Sequence, residues 1–261
     1  MSSTARDSRY SPTELLASVA AGFLEDGRSV FVGTGLPLIA AMLAQRTHAP
    51  GLLIVFEAGA FGPQLRQLPI SVGDSRTLHR AVAASSMHDV MSLSQAGYVD
   101  YGFLGAAQMD SRGNINTTVI GDHALPKVRL PGSGGANDVA SFAHRTLIIM
   151  RQSERSFVGK LDFLTTPGHL DGPDGRRQAG LPAGDGPFRV VTQLAVYDFE
   201  PTSKRLRLFS LHPGVDVASV QKNSGFSILV PDHLPVSPAP TDAQLRLLRE
   251  VIDPAGIVIG K

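Results

Sequence analysis

Five apolar residues, Leu52-Leu53-Ile54-Val55-Phe56, run into a single carboxylate, Glu57, and then into a glycine-rich turn, Ala58-Gly59-Ala60-Phe61-Gly62-Pro63. A continuous apolar run of this length reads as a strand covered on both faces, as in a parallel sheet. In open α/β sheets the ligand crevice lies outside the carboxyl ends of the strands, and Glu57 would sit there. A carboxylate so placed can attack an activated acyl group; it can equally be the first solvated residue of a loop. Two further groups of polar residues follow short apolar runs. Gln108, Asp110, Asn114 and Asn116 come after Tyr101 to Leu104, and Gly132-Ser133-Gly134-Gly135 with Asn137 precedes a helix expected from Asp138 to Ala143. Glycines before a helix leave backbone N–H groups free, which is what an oxyanion needs, although the same run can be a flexible loop. Gly33-Thr34-Gly35, with Pro37 opening the next helix, is either an anion-binding turn or a tight strand-to-helix connection. A carboxylate beside preorganised donors suits covalent acyl chemistry, with Glu57 as nucleophile and the backbone of Gly134 and Gly135 holding the oxyanion. Gln108 and Asp110 could instead bond their own backbone and fix a loop. His212, before Pro213-Gly214, reads as a turn residue. Arg66, Arg76 and Arg80 are either contacts for an anionic substrate or solvated surface groups.

The elements that must position these residues alternate in type. Ser11-Pro12-Thr13-Glu14 is a capping box that starts a helix running to about Asp26, with Gly27 closing it in the left-handed conformation. A short strand, Ser29 to Val32, leads through the Gly33 turn into a helix over 38–46 and then into the Leu52 strand. Asp74 or Ser75 caps a long helix reaching Ala96, whose Leu78, Val82 and Met87 supply part of a buried face. Gly168 to Pro187 is rich in glycine and proline and is expected to be a surface loop or lid. Arg189 to Phe199 and Arg205 to Leu211 read as antiparallel strands. Thr241 to Gln244 is a second capping box, starting a helix that docks through Leu245, Leu248 and Ile252. The pattern predicts one three-layer α/β domain spanning residues 1–261. Its open, mostly parallel sheet carries helices on both faces, the C-terminal part is antiparallel, and residues 1–10 are flexible.

Composition limits the partners. The chain has 261 residues, 43% hydrophobic and 18% charged, with a formal net charge of +1. Nothing in that balance steers it toward nucleic acid or an anionic membrane. With no cysteine there is no disulfide framework, no thiolate nucleophile and no cysteine-type zinc site, which suits a reducing compartment. The polar opening lacks the apolar core of a signal peptide, and no segment offers about 20 uncharged apolar residues for a membrane span. The expectation is a cytoplasmic protein.

At the residues singled out above, the sequence resembles the β subunits of class I acyl-CoA transferases, closest to the glutaconate CoA-transferase type. The pieces that carry the resemblance are Phe56-Glu57-Ala58-Gly59, Gly105-Ala106-Ala107-Gln108-Met109-Asp110 with Gly113-Asn114-Ile115-Asn116, and Gly132-Ser133-Gly134-Gly135-Ala136-Asn137-Asp138, with Ser210 to Val215 as a further signature. What the resemblance implies is a ping-pong reaction on a dicarboxylic acyl-CoA. Glu57 attacks the thioester, a glutamyl-CoA thioester forms, and an acceptor carboxylate reverses the sequence. It also implies a homologous α subunit that completes the site, coenzyme A as a substrate, and no metal or redox cofactor. Gly33, Gly35, Gln108, Asp110, Asn114, Asn116 and Asn137 are then the substrate-binding candidates. Phe56 stands where several members carry serine or tyrosine. The same scaffold hosts relatives without the transferase glutamate, a hydrolase that opens a steroid-derived ring and a decarboxylase, and hydrolysis is the rival reading within enzymes. A rival of another class is a non-catalytic subunit that binds nucleotide-like ligands through Gly33 to Gly35.

Overall fold

The Ser11 hydroxyl accepts from the Glu14 N–H at 3.2 Å while the Glu14 carboxylate accepts from the Ser11 N–H at 2.7 Å. This reciprocal cap starts α1 (Pro12–Ala21) as the sequence predicts. The computed structural model describes residues 9–182 and 184–260. Of the opening expected to be flexible, residues 1–8 lie outside those described. The backbone divides into two units, one formed by the chain up to Leu93, Tyr98–Phe103 and Pro238 onward, the other by Ser94–Gly97 and Leu104–Ser237.

In the first unit α1 is followed by β1 (Ser29–Phe31), α2 (Leu36–Gln45), β2 (Leu53–Val55), β3 (Ala60–Phe61), β4 (Ala83–Ala84), α3 (Met87–Gln95) and β5 (Tyr101–Leu104). The strands lie in the order β5-β1-β2-β3-β4. The middle is parallel, β1 pairing with both β2 and β5, and the β3 and β4 end is antiparallel. Every residue from Leu38 to Ala44 is buried, so α2 is apolar on all sides rather than amphipathic.

Two expectations fail here. Helix α1 stops at Ala21, and Gly27, at φ +69°, turns the chain into β1 instead of closing the helix. The long helix expected from Asp74 is three pieces: a 3-10 turn over Ser75–Leu78, strand β4, and α3. Asp74 caps only the first piece, accepting from the Arg76 N–H at 2.9 Å. A fresh cap then starts α3, where the Asp89 carboxylate accepts from the Ser86 N–H and the Ser86 hydroxyl accepts from the Asp89 N–H, both at 3.2 Å. Between them, Ala83 and Ala84 pair with Phe61 and Ala60. Leu78, Val82 and Met87 consequently do not form a buried face; they are 47%, 78% and 53% exposed.

The second unit opens with two hairpins, β6 (Gln108–Met109) with β7 (Ile115–Asn116) and β8 (Val119–Gly121) with β9 (Pro126–Arg129). Then come α4 (Ala136–Phe142), β10 (Arg145–Ile149), the short helix α5 (Gly175–Gln178), β11 (Gly186–Val191), β12 (Ala195–Phe199), β13 (Leu206–Leu211) and α6 (Val217–Lys222). β10 and β11 are parallel, and β11, β12 and β13 are antiparallel. Among the described residues of the glycine- and proline-rich stretch over 168–187, Gly175–Gln178 form a helix that its composition does not predict. Arg176 is buried, and its guanidinium donates to the carbonyls of Ala140, Ser141 and Gly168 at 3.0–3.1 Å, fastening the stretch to the end of α4.

The chain returns to the first unit with α7 (Asp242–Arg246), capped by Thr241 and Gln244 as expected and continued by a wider π turn over Leu247–Ile252. Leu245, Leu248 and Ile252 are buried. Arg249 clasps Glu14 of α1 at 2.6 Å. Among the described residues no helix is long and apolar enough to cross a membrane.

Candidate functional site

Glu57 stands two residues past the end of β2, half-buried, in a turn closed by the Gly59 N–H donating to the Phe56 carbonyl at 3.0 Å. Only glycine fits at 59: φ is +116°, and a Cβ there would lie 2.0 Å from the Ser85 carbonyl oxygen. The Ser85 N–H in turn donates to the Gly59 carbonyl at 2.8 Å. Ser85 is held by Asp89, whose carboxyl is pulled down to about 2 by the Ser85 hydroxyl, then by the hydroxyl and N–H of Ser86. The turn is thus rigid while its acid is free. Among the described residues no hydrogen bond or ion pair engages the Glu57 carboxylate.

The Gly33 turn lies at the same edge. β1 and β2 pair in register from Ser29 with Leu53 to Phe31 with Val55, and the Val32 N–H donates to the Val55 carbonyl at 3.0 Å, so the Gly33 turn and the Glu57 turn leave the two paired strands at the same end. Gly35 has φ +83° and begins α2 without a side-chain cap. A Cβ at Gly33 or Gly35 would meet nothing within 4 Å, so the space above the turn is open.

The remaining candidates belong to the second unit, where the amide and acid groups are occupied by their own chain. Gln108 and Asn116, paired across β6 and β7, are joined by a 2.7 Å bond from Asn116 Nδ2 to Gln108 Oε1. Gln108 Nε2 donates to Asp162, and Asn116 Oδ1 accepts from the N–H groups of Thr118 and Val119. Asp110 accepts from the N–H groups of Arg112 and Asn114 and from Asn114 Nδ2, while Asn114 Oδ1 accepts from Gly168 and Leu170. Burial raises the Asp110 carboxyl above its usual range, and the bonds from Asn114 and Arg112 oppose the rise. These residues set the shape of the hairpin and the segment beyond Gly168.

Gly132 and Gly134 take φ +92° and +50°, and a Cβ at either would meet no atom within 4 Å. The Gly132 N–H is bonded to Thr117; those of Gly134 and Gly135 have no acceptor among the described residues. Asn137 is exposed, its Nδ2 donating to the Thr165 carbonyl at 3.0 Å.

Two buried histidines carry no such openness. His212 is locked between the Thr192 carbonyl and the Ser237 hydroxyl, as a turn residue bonded to backbone, and burial holds its pKa below the ordinary value. His169 is lowered to about 4 by burial, then by the charges of Lys204, Arg176 and Arg112. No local pattern announces the environment of His169, because the charged groups around it come from different parts of the chain.

A free carboxylate on a rigid turn at the carboxyl edge of a parallel pair, with open glycines beside it, is equipped to attack an acyl carbon. The chain belongs to the coenzyme A transferase family, whose pattern matches residues 13–223. Within that family it is 44% identical over 243 residues to the β subunit of the 3-oxoadipate CoA-transferase of Pseudomonas knackmussii, covering 93% of each chain. The crystal structure of glutaconate coenzyme A-transferase from Acidaminococcus fermentans superposes with a TM-score of 0.92 at 36% identity, over 97% of this chain and 98% of that one. A cholesterol ring-cleaving hydrolase subunit of Rhodococcus jostii is 31% identical over 85% of this chain and 83% of its own.

Proposed function

We propose that the protein is the β subunit of a heteromeric CoA transferase that moves CoA from a dicarboxylic acyl-CoA to a free carboxylate, with Glu57 as nucleophile. The observation that carries the reading is the unengaged Glu57 carboxylate on a turn that Gly59 and Ser85 fix in place. A carboxylate oxygen of Glu57 attacks the thioester carbonyl, the C–S bond breaks and CoA leaves as thiolate, giving a mixed anhydride. The thiolate then attacks the Glu57 side-chain carbonyl, and the first acid departs as its carboxylate. The acceptor carboxylate attacks the glutamyl thioester, and the same two exchanges run in reverse. No net proton, water or electron is taken up, so the chemistry calls for neither a metal nor a redox cofactor.

Both transferases named above act on dicarboxylic acyl groups, 3-oxoadipyl and glutaconyl, which supports that substrate class here. The hydrolase reading is disfavoured by the lower identity of that relative, and the binding-only reading by an acid left free at the sheet edge. Gly33 and Gly35 are proposed to face the substrate. The unpaired N–H groups of Gly134 and Gly135 are proposed as oxyanion donors, and Asn137 as a polar contact. For Gln108, Asp110, Asn114 and Asn116 the hydrogen bonds argue for positioning rather than contact. The partner is a homologous α subunit, and the compartment is cytoplasmic, in keeping with a chain that contains no cysteine.

The test is to incubate the assembled enzyme with acyl-CoA and no acceptor, reduce with borohydride and map the modified peptide. The adduct is expected on Glu57, and Glu57→Gln is expected to abolish both adduct and turnover. Wild-type turnover in Glu57→Gln, or an adduct elsewhere, rejects the assignment.

A further inference from the structure

At the other end of β2 the first unit carries a concentration of cations that the transfer chemistry does not use. A cavity of about 370 Å³ is lined by Arg46, Arg66, His79 and Arg80, with Gln45 and Gln64 beside them, and among the described residues no aspartate or glutamate lines it. A neighbouring cavity of about 420 Å³ shares Arg66 and His79 and adds Arg76. Arg76 already has a counter-ion, Asp74 at 2.7 Å. The others do not. Arg46 Nη2 donates to the Leu65 carbonyl, and burial lowers the guanidinium's pKa. Arg66 and Arg80 have no hydrogen bond or ion pair among the described residues, and His79 Nε2 is buried without a partner. Arg80 also sits at φ +52°, a conformation that non-glycine residues rarely adopt and that clusters at ligand sites.

The cluster is held in place by short contacts. The Gln64 N–H donates to the His79 carbonyl at 3.0 Å, and Gln45 Nε2 donates to the Leu52 carbonyl at 3.0 Å. Leu52 is where the chain enters β2, whereas Glu57 lies beyond the other end of that strand, and no residue from Phe56 to Gly59 lines the cavity. The cavity is therefore distinct from the Glu57 turn. Arg66 and Arg80 are exposed and Arg46 is half-buried, so an anion entering the concavity can reach three guanidinium groups and supply the counter-charge they lack. Guanidinium groups meet phosphate oxygens through paired N–H bonds, and a histidine nitrogen can add a further donor.

We propose that Arg46, Arg66, His79 and Arg80 form a second anion site that takes the phosphate or diphosphate group of a small molecule. The group comes either from the diphosphate of a CoA molecule or from a free polyphosphate or nucleotide acting as a regulator. A volume of this size falls in the range of small-molecule sites.

The experiment is calorimetric titration of the enzyme assembled with its partner, at fixed ionic strength, using inorganic pyrophosphate and, separately, CoA. Pyrophosphate should bind the wild type, and Arg66→Ala/Arg80→Ala should weaken it at least tenfold while Glu57→Gln leaves it unchanged. A matching loss of CoA affinity in the double variant identifies the CoA diphosphate as the source; unchanged CoA affinity identifies a free phosphate compound. Arg80→Gly, which relieves the backbone strain, should keep the melting temperature and still bind pyrophosphate more weakly, so a misfolded double variant does not end the test. No binding to the wild type at millimolar pyrophosphate, or equal binding by wild type and variants, overturns the proposal. So does loss of the partner subunit from the arginine variants, since the cluster would then be answering an acidic surface of that subunit. None of these outcomes bears on Glu57, whose adduct test stands apart.

Discussion

Gly134 and Gly135 are neighbours of one residue type, yet Gly134 has φ +50° whereas Gly135 has φ −76° and ψ 0°, values open to any residue. Their substitutions should therefore differ. Gly134→Val places a β-branched residue in the left-handed region and should move both unpaired N–H groups. If these hold an oxyanion, kcat falls on the order of 10²-fold or more, the scale set by losing one such donor. Gly135→Ala keeps its backbone and should stay within a few-fold of wild type. Steady-state kcat for the two variants, with circular dichroism to show that both fold, checks this; unchanged kcat in Gly134→Val makes the loop a turn only. That difference in conformation is hidden in the sequence, where the two glycines read alike. Glu57 is legible there because an acid after an apolar run is visible in one dimension, and so is Gly59, the residue that lets the turn approach Ser85. Gln108, Asp110, Asn114 and Asn116 are visible as polar residues after a strand, but a sequence does not show which partners they find, in their own hairpin, in Thr118 and Val119 just beyond it, at Asp162 and in the segment from Gly168.

At the scale of elements, strands and caps read well where the signal is local. Both capping boxes, the Tyr101 strand, the pairing of Arg205 to Leu211 and the buried face of α7 stand as expected. Misreadings arise where distant chain decides. The segment after Asp74 has helical spacing, but β3 offers Ala83 and Ala84 a ladder, and Ser86 with Asp89 restarts the helix. Residues 168–187 have the composition of a loop, but one buried arginine supplies donors to three carbonyls that α4 and Gly168 would otherwise leave without side-chain partners. Hydrogen bonds to a charged group are worth about 1.5–3 kcal/mol each, offset here by the cost of burying the guanidinium. Arg176→Ala should then lower stability by about 2 kcal/mol, a shift of about 4–8 °C in Tm for a chain of this size, and open the stretch to protease. Thermal melts and limited proteolysis measure both; an unchanged Tm with no new cleavage would show that the stretch is held by something else.

For the whole molecule, the telling feature is where apolar side chains remain in water. Val82, Met87, Leu93 and Tyr98, all in the first unit and near β4 and α3, are between 37% and 78% exposed. Exposed apolar residues are ordinary and others lie elsewhere, Leu125 at 83% and Ile257 at 73% among them, but these four stand beside the strand that braces the Glu57 turn and suit a partner's contact there. Through β4 this stretch is tied to the Glu57 turn, since Ser85 bonds Gly59. In the proposed heteromer the α subunit is the partner that covers it, which would bring that subunit to the side of the reactive acid and explain why the chain alone should show no turnover. A charge placed where a partner must cover it is costly to bury unpaired. Val82→Asp/Met87→Asp should thus fold as the wild-type chain does, because both side chains are solvated in it, yet fail to co-purify with the α subunit and lose activity with it. Gel filtration of the co-expressed pair, with circular dichroism of the isolated chain, separates the possibilities. If the double variant assembles and turns over like wild type, the partner sits elsewhere; if the wild type itself never assembles and is active alone, the two-subunit reading falls.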